Sequence, residues 1–325
     1  MSARKTLLSS LVLFAMLVLN LPAQAQDWPT RTVKIVFPYP AGSAADGIAR
    51  IFAQRFAKIF GQPFIIENRV GANGTIAADA VARSSPDGYT LFWATTPQIA
   101  IAPLMMTVSY DPVKDFVPIS AVMTNIFALI VNPKEMPIKT VPEFIDYLRA
   151  RPGQLNYAEA GLGSIGHLSM VLLLNRAKLK MTNVTYKGNA PALTDVVAGH
   201  VPAMFSLLSD AKAQASSGSV RLIAVSSEKR TPQAPAVPTV SESGFPGFNT
   251  GSWHGLMAPA GTPKAIIDRI ATEVARAIQD PELSARMTTL GVDPLGNSPQ
   301  EFANMISADI VLWREAVKIA HIEIR

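Results

Sequence analysis

Apolar positions along the chain fall into two alternating periods. Val33, Ile35, Val36 and Phe37 form a compact apolar run that predicts a short strand. From residue 44, Ile48, Phe52, Phe56 and Ile59 recur every three or four positions and predict a helix over 44–60. Gly61 then suits a left-handed stop, and Ser43 to Asp46 make a capping box at the start. A strand over 64–67, a small-residue helix from 75 to 83 and a strand over 89–93 continue the rhythm. Such β-α-β-α-β alternation implies a mostly parallel sheet covered on both faces, with ligand loops at the carboxyl ends of its strands.

A helical segment at 97–105 and a strand at 116–123 follow, and the apolar run at 126–131 is expected to open a second α/β unit. Its predicted parts are a helix capped at Thr140, strands at 155–158, 184–186, 203–206 and 222–225, and helices between them. Residues 231–251, rich in Pro, Ser and Gly, read as a connection. Beyond them come a strand at 252–258 and helices at 263–278 and 299–319, the last two with Pro near their first helical position. One strand with a few helices makes a poor core of its own, so the chain is expected to return to the first unit. The predicted lobes are 26–124 with 238–325, and 125–237. Two crossings between them would form a hinge.

The N-terminus changes the compartment. Arg4 and Lys5 precede an apolar run from Leu7 to Leu21, and Ala23-Gln24-Ala25 is a small-x-small cleavage pattern. The run falls short of the roughly 20 residues of a spanning helix. An exported, periplasmic protein cleaved after Ala25 is therefore expected, starting at Gln26. The chain has no cysteine, so disulfides, a lipidated cysteine and thiol chemistry are excluded. Net charge is +5 for 325 residues; loss of Arg4 and Lys5 leaves +3. Basic residues are scattered, which argues against nucleic acid as a partner.

Two loops stand out chemically. Residues 38–46 run from a strand through Gly42 into a helix start, and residues 161–167 repeat the arrangement with Gly161, Gly163 and Gly166. A helix start leaves backbone N–H groups unpaired and carries partial positive charge, so each loop can cradle an anion without a basic side chain. The second loop also matches G-x-G-x-x-G, but the fingerprint's acidic residue about 20 positions on is missing from the 184–188 region, Val-Thr-Tyr-Lys-Gly. Around Ser164 it misses the nucleophile elbow by Leu162 in place of glycine, and nothing in the sequence pairs His167, His200, His254 or His321 with Ser164. The histidines are too dispersed for a metal set. No cofactor, no metal and no catalytic residue is expected. A secreted α/β hydrolase with Ser164 as nucleophile is the alternative from another class.

Six blocks in order, PYPAGSAAD at 38–46, ENRVGANGTI at 67–76, PDGYTL at 86–91, GLGSIGHL at 161–168, YKGNAPALTD at 186–195 and WHGLMAPAGTP at 253–263, carry a family resemblance over nearly the whole mature chain. The sequence resembles the Bug or TctC-like periplasmic receptors of tripartite tricarboxylate transporters. The resemblance implies an α/β, two-lobed Venus-flytrap fold in which a ligand carboxylate lies between the two loops. It also implies a small carboxylate as ligand, a monomer, and permease subunits as partners, with presentation to a membrane sensor as the other role. Carried over by position, the first-loop candidates are Tyr39, Ala41, Gly42, Ser43, Ala44 and Asp46. Those of the second loop are Gly163, Ser164, Ile165, Gly166 and His167. Thr95, Thr96, Gln98 and Asp210 are added as side chains near the cleft. The family's first loop commonly has two adjacent glycines where this chain has Gly42-Ser43, so the ligand does not transfer from a relative.

The binding and hydrolase readings part on one assay. The purified protein is expected to leave model esters intact; hydrolysis that disappears in Ser164→Ala would establish the alternative.

Overall fold

The computed structural model describes residues 28–322, so the expected export signal and its cleavage site after Ala25 lie outside the described residues. Strand β1 (Val33–Phe37) lies between β2 (Phe64–Asn68) and β3 (Thr90–Thr95) and is parallel to both. Parallel neighbours need crossovers. Helices α1 (Ala44–Phe60) and α2 (Thr75–Ala82) supply them. α1 is capped by the Ser43 hydroxyl, which accepts from Asp46 N, and ends at Gly61 with φ 71°. Ile48, Phe52 and Phe56 are fully buried. Ile59, assigned to the same face by its spacing, is 44% exposed. Phe60 takes that place, meeting Phe64 at 5.5 Å between ring centroids.

The strand over 116–123 and the apolar run at 126–131 are one element, β4 (Phe116–Val131). Residues 116–126 pair antiparallel with β9 (Gly251–Pro259), which also pairs antiparallel with β3. Residues 127–131 continue into a second sheet, antiparallel to β7 (Ala203–Leu207) and, with a bulge, to β8 (Arg221–Val225). There β5 (Asn156–Glu159) runs parallel to β7 and to β6 (Thr182–Thr185). The outgoing and returning passages run in opposite directions, so antiparallel pairing arises where they lie side by side. Each sheet keeps its parallel strands on the far side of that pair.

Each sheet is covered on both faces. On the first, α1 and α8 (Lys264–Ile278) form one layer, while α2 and the start of α10 (Pro299–Ile319), through Phe302 and Ile306, form the other. On the second sheet, α4 (Val141–Arg149), α5 (Ile165–Ala177) and the end of α10 cover one face. Helices α6 (Asn189–Ala198) and α7 (Leu208–Ser216) cover the opposite face. Trp313, Ala316 and Val317 thus join α10 to a core other than the one holding Phe302, so this helix straps both units. Val240 and Phe248 from the Pro- and Gly-rich connection also pack into the second core. The helix at Pro281–Thr289 (α9) and the short strand β10 (Asp293–Pro294) against β4 complete the chain. No helix among the described residues is long and apolar enough to cross a membrane.

His254 lies in β9, opposite Thr95 of β3 and Met123 of β4. Its Nδ1 accepts from Trp93 Nε1 at 3.1 Å, and an indole N–H can only donate. The neutral ring therefore carries its proton on Nε2, 3.2 Å from the Asn125 amide, which must present its oxygen there. Burial pushes the His254 pKa down to about 4. The unfolded chain binds a proton between roughly pH 6.5 and 4 that the folded chain refuses, so stability is full above that window and falls with pH through it. The loss is expected to approach 3 kcal/mol, on the order of 1.4 kcal/mol per pKa unit. Urea midpoints measured from pH 7.5 to 4.5 should drop more steeply for the native protein than for His254→Gln.

Candidate functional site

A cavity of about 550 Å³ opens between the two units. Tyr39, Asn73 and residues of the helical stretch after β3 line one wall; the second glycine loop, Phe127, Asn189, Phe205 and Leu207 line the other. That stretch consists of a π-helical turn at Pro97–Ile101 and a short helix, α3 (Ala102–Met105).

The end of β3 fixes Tyr39. Gln98 accepts from Thr95 N at 3.1 Å and from the Thr95 hydroxyl at 2.5 Å through its Oε1. Its Nε2 donates to Asn73 O at 2.7 Å and to the Tyr39 hydroxyl at 3.0 Å. The backbone donor and backbone acceptor leave the Gln98 amide only one orientation. Because the Thr95 proton goes to Gln98, the 3.1 Å contact between Tyr39 and Thr95 has Tyr39 as donor. The phenol therefore faces the cavity with a lone pair. Thr95, Thr96 and Gln98 are fully buried and lie behind the wall. Thr96 accepts from Trp253 N at 3.0 Å, joining this corner to β9.

Asp46 is buried beneath the first loop and is used up by structure. Its two oxygens accept from Gly42 N, Arg50 Nε and Nη2, and Asn68 Nδ2 at 2.9–3.1 Å. Asn68 also donates to Tyr39 O, so the carboxylate holds the loop against β2. Burial acts to raise the Asp46 pKa, but the hydrogen bonds from Arg50, Asn68 and Gly42 outweigh it and hold the carboxyl below the ordinary aspartate value. Ala41, Gly42, Ser43 and Ala44 are exposed and lie outside the cavity lining. The amides of Ala44 and Ala45, in the first turn of α1, have no protein acceptor among the described residues.

The second loop meets the cavity directly, since Gly163, Ser164, Ile165 and Gly166 all line it. Ser164 caps α5, its hydroxyl oxygen accepting from His167 N at 3.3 Å. The amides of Ile165 and Gly166, next in the same turn, have no protein acceptor among the described residues. His167 is buried and stacked on Tyr157. Its Nδ1 accepts from Gly163 N at 3.1 Å, which directs the ring at the loop backbone, away from the Ser164 hydroxyl, and assigns the proton to Nε2. Burial lowers the His167 pKa, partly opposed by the negative charge of Glu159. Asp210 is exposed beyond the wall and accepts from Asn189 Nδ2 at 2.6 Å.

The structure therefore brings Tyr39 and the second-loop residues 163–166 to one cavity and puts Thr95, Thr96, Gln98, Asp46 and His167 behind them. Sequence reasoning missed Asn73, Ile101, Met105, Met106, Phe127, Asn189, Phe205 and Leu207. Asn73 and Asn189 had a signal, each a polar residue beside glycine at or just before a helix start inside a recognised block. The apolar ones carry the same pattern as core residues.

Gly166 is where the helix start meets the sheet. A side-chain carbon there would lie 2.5 Å from Phe205 O, a backbone atom that cannot move without β7. Gly166→Ala is expected to destabilise by about 1–3 kcal/mol. It should also displace the Ile165 and Gly166 amides; a lowered urea midpoint together with weakened ligand binding checks both effects.

The family pattern described as "Tripartite tricarboxylate transporter family receptor" matches residues 48–322. Protein BugT of Bordetella pertussis is 32% identical over 91% of this chain and 91% of its own length. Two solved structures from Rhodopseudomonas palustris share the architecture. Rpa4515 with adipate has a TM-score of 0.75 at 36% identity, covering 92% of this chain and all of that one. MatC with bound malate has a TM-score of 0.70 at 35% identity, covering 89% of this chain and all of that one. By this match over most of its length, the chain belongs to the tripartite tricarboxylate transporter receptor family and has its two-lobed, periplasmic-binding-protein fold.

Proposed function

We propose that the protein is an exported, periplasmic solute receptor that captures a small organic acid between its lobes and delivers it to a membrane permease. The observation that carries this reading is the pair of capped helix starts, α1 and α5, each with two amides that have no protein acceptor among the described residues, on the two units that flank one cavity. Such amides favour a carboxylate by hydrogen bonding and by the helix dipole. The adipate and malate seen with the Rhodopseudomonas palustris relatives support the same ligand chemistry.

In this reading the carboxylate lies against Ile165 and Gly166, with the Ser164 hydroxyl free to donate its own proton. Gly163 shapes the loop, and His167 holds it by taking the Gly163 amide. Ala41, Gly42, Ser43 and Ala44 approach from the other lobe on closure. Tyr39 lines the ligand's path, and Thr95, Gln98 and Asp46 position it. Thr96 and Asp210 brace the two rims. The crossings between lobes are assigned near Ile126, where β4 passes from β9 to β7 and β8, and near Gly251, where β9 begins. The protein acts without chemistry on its ligand, as a monomer cleaved after Ala25. Binding favours the closed state in proportion to the ligand's greater affinity for it.

Native mass spectrometry of freshly purified protein should reveal a co-purified acid. That acid, added at a hundred times its dissociation constant, should stabilise the fold by about 2.7 kcal/mol. A thermal-shift panel of monocarboxylates, dicarboxylates, tricarboxylates and amino acids in which nothing raises the melting temperature would sink the proposal.

A further inference from the structure

We infer that this cavity selects acids with a single carboxylate on an apolar body, aromatic or aliphatic, over short dicarboxylates and tricarboxylates. The inference rests on the carboxylate reading above and narrows it. Three observations carry it.

The cavity is lined without any Lys, Arg or His among the described residues, while Ile101, Met105, Phe127, Phe205 and Leu207 supply its walls. A carboxylate pressed against such a surface loses its water and gains no partner. The side-chain donors are also engaged elsewhere. The Tyr39 proton goes to Thr95, as the orientation of Gln98 requires. Asn189 sends its Nδ2 hydrogens to Ser206 Oγ at 3.1 Å and to Asp210 Oδ2 at 2.6 Å. What stands behind Asn189 is itself a carboxylate, which repels a second one arriving at that wall. Asn73, exposed at the rim, offers a neutral amide and no charge.

The Ile165 and Gly166 amides and the Ser164 hydroxyl sit together at one end and serve one anionic group; the Asn189 and Ala190 amides at the start of α6 also have no protein acceptor among the described residues, but there Asn189 already holds the Asp210 carboxylate. From the α5 end the ligand's body must run along the apolar walls. Met105 gives that surface some adaptability: its methyl and sulfur fill the space a side chain at Gly163 would take, with Cε 2.1 Å from such a carbon. A thioether on an unbranched stem repacks readily around different apolar shapes.

Isothermal titration calorimetry on the mature protein, at one pH and ionic strength, tests this with benzoate and hexanoate against succinate, malate and citrate. The better monocarboxylate should bind at least tenfold more tightly than any of the three polyacids. Met105→Lys keeps a stem of similar length and adds the missing cation. It should move the ratio at least tenfold toward succinate or malate. A polyacid that matches or beats both monocarboxylates in the native protein overturns the inference and leaves the carboxylate reading intact. An unchanged ratio in a folded Met105→Lys variant also overturns it, because the wall would then not set the preference. Should that variant not fold, the native panel decides alone. No heat with any acid, monocarboxylate or polyacid, overturns the carboxylate reading itself.

Discussion

The ladder between β4 and β9 is the constraint on which the other parts depend. A chain that leaves one lobe and returns to it must carry its backbone polar groups through the waist, where they are costly to bury unpaired. Pairing the outgoing strand with the returning one answers that need from residue 116 to residue 126. The pairing then dictates what packs around it. Gly255 leaves room for Phe302, whose ring would lie 2.4 Å from a side-chain carbon there, and so lets α10 press against the strand. Trp253 of the same strand donates its indole N–H to Asp309 of α10 at 2.7 Å, midway between the two cores that the helix joins. Any closing of the lobes must therefore move α10 as well as the strands.

The waist also builds the site. Thr96 joins the end of β3 to β9, and immediately around it Thr95 and Gln98 orient the Tyr39 hydroxyl. His254, directly opposite Thr95 on β9, is held neutral by burial, and the Trp93 indole fixes its tautomer. The same economy appears at the second loop, where buried His167 accepts the Gly163 amide. Polar side chains near the cavity thus mostly satisfy one another. Among the described residues, the amides at the helix starts are left without protein acceptors, and the cavity walls fall to apolar residues.

This division explains what was legible in the sequence. Helix periods, caps and turns act locally, so α1, α10 and the Pro- and Gly-rich connection could be read from a few neighbouring residues each. The loops at Gly42 and Gly163 could be read too, because helix starts have side-chain signatures at Ser43 and Ser164. The unbroken β4 could not, since its two halves pair with partners more than 70 residues away in different sheets. Neither could Phe127, Phe205 or Met105, because an apolar residue facing a cavity and one facing a core obey the same hydrophobic rule. Asp46 had two sequence readings, a cap or a ligand group. The contacts with Arg50 and Asn68 that give it a structural task come from the next turn and the next strand.

Ser43 shows how a candidate ligand loop can satisfy local rules. The serine has φ −74° and ψ 160°, an extended conformation any residue adopts, and its hydroxyl caps α1. The unusual dihedral belongs to its neighbour Gly42, at φ 94°, with open space around it. One residue supplies the turn and the next the cap, so the serine adds helix stability without strain. Its oxygen takes the Asp46 amide and leaves those of Ala44 and Ala45 uncovered. Ser43 thus tightens the helix that carries the first loop while leaving the Ala44 and Ala45 donors that an anion would use.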